Sequence, residues 1–96
     1  MSQPADRVFL VENDRQLRDA RIAQRLRALR AGRGWSLDEL AGRSGVSRAS
    51  LSRLENAEVS ATAVVLGKLA AAYGLTVSHL LRTVEDAFAP VVRHAA

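Results

Sequence analysis

The sequence predicts an all-α fold, a five-helix orthogonal bundle, and three observations support this prediction. Apolar residues recur at helical spacing, with Ile22, Leu26 and Leu29 as the first example. Serine or threonine stands where helices would begin, with an apolar residue before it, and glycine stands where several would end. No segment alternates apolar and polar residues as a half-buried strand would. The short connections between these helices favour a compact bundle over a coiled coil.

The first predicted helix begins at Asn13 or Asp14, either of which can cap it, and runs to about Ala31, where Gly32 supplies the stop. Residues 1–12 show no strong pattern and are predicted to form a flexible N-terminal arm. Three arginines share a stripe apart from the apolar face: Arg18, Arg21 and Arg25. The first helix is therefore expected to be amphipathic and basic.

Four later helix starts share a hydrophobic staple, in which an apolar residue before the cap packs against another apolar residue four places after it. The four sets are Trp35/Ser36/Leu40, Val46/Ser47/Leu51, Val59/Ser60/Val64 and Leu75/Thr76/Leu80. Ser36 is also followed by Glu39, which would complete a capping box. The fourth helix is thus predicted over 60–73, and a short fifth follows Thr76.

The stretch 36–56 predicts two short helices joined at Gly45, the arrangement of a helix-turn-helix. Residues of the second helix step by about 100°, which places Leu51 and Leu54 on the buried side. The opposite face consists of Arg48, Ala49, Ser52, Arg53 and Asn56. A solvated helix usually mixes basic and acidic residues, whereas this face has no acid. The pattern favours a helix that enters a groove lined with acceptors and phosphates over a polar helix without a partner.

Charge is concentrated in the same half of the chain. From Arg15 to Arg53 there are ten arginines and three acids, a balance of +7, while the remaining residues carry four bases and seven acids, a balance of −3. Such asymmetry is typical of proteins that bind a polyanion, most often DNA. The preference for arginine over lysine has a second explanation in a GC-rich genome, so the prediction depends on the distribution of charge.

Other chemistries find little support in the sequence. Cysteine is absent, and His79 and His94 have no second ligand at metal spacing. Asp38 and Glu39 stand in the first turn of a helix, where capping and the helix dipole explain them. Trp35 is expected to pack in the core rather than to stack on bases. No catalytic constellation appears, so the chain is predicted to be neither an enzyme nor a cofactor or metal binder. It also lacks a signal peptide or membrane span, which predicts a cytoplasmic protein.

Residues 28–81, with SLDELAGRSGVSRASLSRLENAE at their centre, resemble the phage-repressor-like (Cro/C1, or XRE) helix-turn-helix family, and the resemblance implies a lambda-repressor-like DNA-binding fold. The family pattern is met by Ala41, Gly45, Val46, Leu51, Leu54 and the ending Glu55-Asn56. The chain departs from it at Ala57 and Glu58, where members usually have glycine and often lysine. Asn56 is then expected to adopt the left-handed cap itself.

The resemblance also implies roles for individual residues. The positions that read bases are Arg48, Ala49, Ser52 and Arg53. The positions that contact phosphates are Ser36, Leu37, Ser47 and Asn56, to which Arg43 in the turn is added. Leu37 would contribute through its backbone amide, because helix N-termini offer free N–H groups. Arg30 and Glu55 are expected to pair across the bundle.

These observations predict a sequence-specific regulator of transcription that binds double-stranded DNA as a dimer on a pseudo-palindromic operator. The alternative is a protein-interaction module on the same fold, such as an antitoxin-like or regulator-tethering domain. Residues 13–83 would form the DNA-binding domain and 84–96 a C-terminal extension or linker. Residues 82–96 resemble the segment that leads into a cupin sensor domain in many relatives. The chain is then either the DNA-binding half of a longer regulator, which the resemblance favours, or a short stand-alone regulator, and a small-molecule effector would bind only through a domain absent from this chain. Four apolar residues without a place in the core are candidates for the dimer contact: Val84, Phe88, Val91 and Val92.

Overall fold

The computed structural model describes residues 4–82, with side chains for residues 14–82. This part of the chain contains no strand and consists of α1 (Pro4–Arg33), α2 (Leu37–Ser44), α3 (Arg48–Glu55), α4 (Ala63–Tyr73) and α5 (Val77–Leu80). The all-α, five-helix prediction is confirmed. None of these helices combines the length and the apolar character needed to cross a bilayer. The apolar residues 84–92 considered for a dimer contact lie outside the described residues.

Every helix contributes a leucine to one core. The four largest side chains that are fully buried come from α2, α3, α4 and α5 in turn: Leu40, Leu51, Leu69 and Leu80. Leu26 of α1, only 2% exposed, joins the same cluster. Each such burial stabilises the fold by about 1.5 to 3 kcal/mol, so the core holds α2 and α3 against the rest of the bundle.

The first helix is longer than predicted at both ends. It begins at Pro4 rather than at Asn13 or Asp14, so it includes most of the segment expected to be an arm. Proline suits the first turn because no intrahelical acceptor is available there for its missing N–H, and no further proline or glycine interrupts the chain before Gly32. At the other end Gly34, with φ of 69°, takes the left-handed position instead of Gly32.

Three of the four predicted N-caps are present, namely Ser36, Ser47 and Thr76, but α4 does not begin as predicted. Its cap is Thr62, whose Oγ1 accepts from the Val65 amide at 3.2 Å. Ser60 instead donates to Asp19 Oδ2 at 2.7 Å, which attaches the loop to α1. Val64 is 69% exposed, while Leu66, four residues after the true cap, is buried. The helix starts where its first turn can place Leu66 in the core.

The turn after α3 differs from the expected one. Asn56 has φ of −104°, and Ala57 is the residue in the left-handed region, with φ of 58°. A side chain with a Cβ is strained there by about 1 to 2 kcal/mol. The Ala57 amide donates to Leu54 O and the Glu58 amide to Arg53 O, at 3.1 and 2.8 Å, so the strained turn still closes the helix.

We expect Ala57→Gly to stabilise the protein by roughly 0.5 to 1 kcal/mol, because glycine removes this strain but gives the unfolded chain more freedom. Urea or thermal unfolding would measure it. Ala28→Gly, the same change at an exposed helical position in α1, should instead destabilise by about 1 kcal/mol. A loss of stability in both variants would show that Ala57 is not strained.

Arginines of α1 bind the C-terminal ends of three other helices. Each donates to a backbone carbonyl in the last turn of its target, where unpaired carbonyls and the helix dipole favour a cation. The pairs are Arg25 with Leu80 O (2.9 Å), Arg27 with Glu55 O, and Arg33 with Tyr73 O (2.7 Å). Part of the basic charge that the sequence analysis assigned to polyanion binding therefore holds the bundle together.

Candidate nucleic-acid interface

The two helices of the predicted motif are defined at their ends by the expected residues. Ser36 Oγ accepts from the Glu39 amide at 3.0 Å, and Ser47 Oγ accepts from the Ser50 amide at 3.1 Å. Gly45 takes the left-handed conformation between them, with φ of 78°, which a residue with a Cβ would adopt only with strain. Val46 is buried at the turn. This local geometry fixes how α3 is presented.

The outward face of α3 carries the side chains that the sequence analysis assigned to base reading. We call Arg48, Ala49, Ser52 and Arg53 the reading face. Ser52 is half-buried and the other three are exposed, whereas Leu51 and Leu54 on the opposite side are buried. A helix with two arginines, one methyl group and one hydroxyl on its free face can form hydrogen bonds and apolar contacts with base edges.

Arg53 differs from the other arginines near α3 because its guanidinium has no hydrogen bond or ion pair with any residue in 14–82. It stands in the last turn of α3, one helical turn after Ala49. Its five donors are therefore available to an external acceptor, and its exposed position gives them access to one.

Arg48 and Arg43 are each held by an acid of the first turn of α2. Arg48 Nε lies 3.0 Å from Asp38 Oδ1. Arg43 places Nη2 and Nε at 2.9 and 3.0 Å from Glu39 Oε2. The expectation that capping explains both carboxylates is thus incomplete, because each side chain engages an arginine. Glu39 contributes to the cap through its amide, while its carboxylate binds Arg43 at i,i+4 spacing.

Arg43 is fixed further by an aromatic stack. Its guanidinium carbon lies 4.3 Å from the centroid of the Trp35 ring, and Trp35 stacks on Tyr73 with centroids 5.2 Å apart and ring planes 15° apart. Arg33 lies 5.2 Å from the same Trp35 ring. Trp35 packs within the protein, as predicted, and holds one candidate phosphate ligand at the edge of the motif.

The remaining candidate phosphate ligands lie at helix ends. The Leu37 amide stands in the first turn of α2, where amides have no intrahelical acceptor. Ser36 is exposed beside it. Ser47 donates its hydroxyl to Ser50 Oγ at 2.9 Å, so that proton is in use. Asn56 donates one amide hydrogen to Ser52 O at 2.8 Å and keeps a second for an external acceptor.

On its inner side α3 is anchored to α1 by the predicted pair. Arg30 donates from Nε and Nη2 to the two carboxylate oxygens of Glu55, at 2.8 and 2.7 Å, and from Nη1 to Trp35 O at 3.0 Å. Glu55 is 5% exposed. The hydrogen bonds with Glu55 raise the pKa of Arg30, so its guanidinium stays charged. Burial raises the pKa of Tyr73, whose hydroxyl is buried without a hydrogen-bond partner in the described part of the chain.

Apart from the Arg30–Glu55 pair, sequence reasoning missed the partners that lie far apart in the chain. The carbonyl oxygens that accept hydrogen bonds from Arg25, Arg27 and Arg33 are up to 55 residues away in the chain, and no local spacing in the sequence predicts these contacts. Asp38 and Arg48 also share no helix. Only the Glu39–Arg43 pair had a readable i,i+4 signal. Within the described side chains, no group of three or more histidines or acids is placed to hold a metal ion.

The comparisons with known proteins each cover about two thirds of the chain. The family model described as "Helix-turn-helix domain" matches residues 21–82. The HTH-type transcriptional regulator DdrOP3 of Deinococcus deserti is 40% identical over 65 residues, which are 68% of this chain and 50% of that protein. The chain thus spans about half the length of this relative.

A solved structure is similar as well. The crystal structure of an HTH_3 family transcriptional regulator from Vibrio cholerae superposes with a TM-score of 0.67 at 35% sequence identity, over 71% of this chain and 38% of that one. Residues 21–82, which the family model matches, include the capped helices and the exposed face of α3 described above. By sequence and by structure, the chain belongs to the helix-turn-helix domain family.

Proposed function

We propose that this protein is a sequence-specific regulator of transcription that binds double-stranded DNA with α3 in the major groove. The proposal rests on the reading face, which has two exposed arginines and no acid. The helix that carries this face is capped at both ends and is anchored to α1 by a buried ion pair. Both the Deinococcus deserti and the Vibrio cholerae relatives are named transcriptional regulators. Such a role places the protein in the cytoplasm with the chromosome.

In the proposed complex, the reading face distinguishes base pairs by chemistry that its side chains possess. Arginine can donate two hydrogen bonds to the O6 and N7 atoms of guanine, and an alanine methyl group can pack on the thymine methyl. Ser52 can donate to or accept from either kind of base edge. Arg53, free of internal partners, is the residue we expect to read a guanine. Arg48 stands at the N-terminal edge of α3, where a base or a phosphate is within reach.

The residues around the reading face would fix its register on the duplex. Phosphate contacts carry no sequence information but determine where the helix lies. We assign this role to Ser36, Leu37, Arg43, Ser47 and Asn56. Two of them act through groups already placed by the fold, the first-turn amide of Leu37 and the stacked guanidinium of Arg43. The N-terminus of α2 adds its positive dipole end to this surface.

We further propose that the protein binds as a homodimer to a pseudo-palindromic operator. Two copies of α3 would then read half-sites about 34 Å apart, one turn of B-DNA. The apolar residues Val84, Phe88, Val91 and Val92 are the proposed contact between copies. Any small-molecule effector would act through a further domain outside this chain.

Selection of bound sequences from a random double-stranded library tests the proposal. We expect enrichment of a pseudo-palindrome whose half-sites are centred about 10 base pairs apart. Affinity for the selected site should exceed affinity for random DNA by at least about a thousandfold, and both should fall with salt. The matched control is the Arg48→Ala/Arg53→Ala variant, which keeps the buried side of α3. Enrichment no greater than that of this variant would favour a protein-interaction module instead.

A further inference from the structure

We propose that Asp38 is a positioning residue that sets sequence specificity by orienting the guanidinium of Arg48 toward one base pair. The inference rests on the proposed function and goes beyond it, because Asp38 lies on α2, outside the reading face. The observation behind it is the ion pair between the first turns of two helices, with Arg48 Nε 3.0 Å from Asp38 Oδ1.

Asp38 approaches the guanidinium of Arg48 from its Nε side, and this direction determines which nitrogens remain available to a base. Nε, the nitrogen nearest the stem of the side chain, makes the closest contact with the carboxylate. Neither terminal nitrogen of Arg48 donates a hydrogen bond to the described part of the chain. Nη1 and Nη2 are the pair that can grip guanine end-on. An acid at the Nε side therefore restrains the side chain while leaving its reading end open.

The other arginine–acid pair at this surface has a different geometry. Glu39 contacts both Nε and Nη2 of Arg43, and the Trp35 ring covers the guanidinium at 4.3 Å. Arg43 is thus held along one edge and one face, which suits a fixed cation beside a phosphate. Arg48 has no aromatic contact among the described residues and depends on Asp38 alone for its orientation.

The expected effect is modest, because the pair is exposed. The side chains of Arg48 and Asp38 are 64% and 80% exposed, and exposed ion pairs shift equilibria by about two- to fivefold. Asp38 also places a negative charge beside the DNA backbone, which weakens binding to every sequence alike by about twofold at low salt. Both effects raise the ratio of specific to non-specific binding.

The test compares four variants of the full chain on the selected operator, on operators with each base pair changed, and on random DNA: Asp38→Ala, Glu58→Ala, Arg48→Ala and the Asp38→Ala/Arg48→Ala double variant. Asp38→Ala should reduce the preference for guanine at one base pair about two- to fivefold while raising affinity for random DNA. Glu58→Ala, which removes an exposed acid in the loop after α3, is the matched charge control. It should raise affinity for random DNA without changing any base preference. In an Arg48→Ala background, Asp38→Ala should change no base preference further.

Each outcome supports or overturns the inference. If Asp38→Ala keeps the preferences of the original protein, or changes them only as Glu58→Ala does, Asp38 is not a positioning residue. If its effect persists without Arg48, Asp38 acts by another route and the inference is wrong. If the unaltered protein shows no base preference at all, the proposed function itself fails, and the inference falls with it. We expect the guanine preference to fall by about two- to fivefold in Asp38→Ala but not in Glu58→Ala, and only when Arg48 is present.

Discussion

Replacement of Glu55 by alanine should lower the free energy of unfolding by about 2 to 3 kcal/mol. Its carboxylate is 5% exposed and accepts two hydrogen bonds from Arg30. Removing one member of a buried pair leaves the other charge without compensation, which typically costs about 3 to 5 kcal/mol. The Arg30 side chain is 24% exposed, so water can reach it in part, and the expected loss lies at or just below the lower end of that range.

Chemical denaturation of four variants would measure this effect. Glu58→Ala removes an exposed acid three residues further along and should change stability by less than about 0.5 kcal/mol. Arg30→Met should be as harmful as Glu55→Ala, because it leaves a buried carboxylate. The double variant should lose less than the sum of the two, since neither charge is then left alone. An unchanged midpoint for Glu55→Ala would show that the pair does not anchor α3 to α1.

The features that sequence predicted well are those decided by a few neighbouring residues. Ser36 and Ser47 cap α2 and α3 because a hydroxyl, a preceding apolar residue and a following leucine all favour the same start. The segment before α4 offers both Ser60 and Thr62 as caps, and local pattern alone does not choose between them. The choice follows from packing, because the start at Thr62 buries Leu66 and leaves Val64 in solvent.

The features that sequence missed depend on contacts between distant parts of the chain. The arginines of α1 looked like a basic stripe, but Arg25, Arg27 and Arg33 bind the ends of three other helices. Asn56 has the better propensity for a left-handed turn, yet its side chain bonds to Ser52 O and the strain falls on Ala57. The reading face was predictable because helical geometry and two buried leucines determine it. The pairing of one of its arginines, Arg48, with Asp38 of α2 could be found only from the structure.

Arg43 of α2 and Arg53 of α3 should have different effects on DNA binding when each is replaced by alanine. Arg53→Ala should cost about 1 to 3 kcal/mol on the selected operator and relax the preference at one base pair, because a bidentate contact with guanine is lost. Arg43→Ala should weaken binding to every sequence alike and reduce the salt slope by about one ion for each subunit. Arg43 is held by Glu39 and Trp35 at the edge of the motif, whereas Arg53 has no partner in the described chain.

Two further variants distinguish the contribution of the planar guanidinium of Arg53 from that of its positive charge. Arg53→Lys keeps the positive charge but removes the planar fork, so it should lose base preference and keep the salt slope. Lys68→Ala removes an exposed charge on α4 and should leave base preference unchanged. Arg53 also lies in the last turn of α3, where a cation stabilises the helix dipole by about 0.3 to 1 kcal/mol. Unfolding curves of each variant would show that the protein remains folded under the binding conditions.

The change in affinity for the operator, compared with the change for random DNA, shows whether Arg53 contacts a base or a phosphate. If Arg53 reads a guanine, Arg53→Ala lowers the affinity for random DNA only by the contribution of one positive charge, while it lowers the affinity for the operator much further. If Arg53 instead contacts a phosphate, Arg53→Ala weakens binding to the operator and to random DNA equally. Arg53→Lys then binds both DNAs almost as tightly as the original protein does. That second pattern would mean that the free guanidinium of α3 faces the backbone, and the assignment of Arg48, Ala49, Ser52 and Arg53 as the reading face would be wrong.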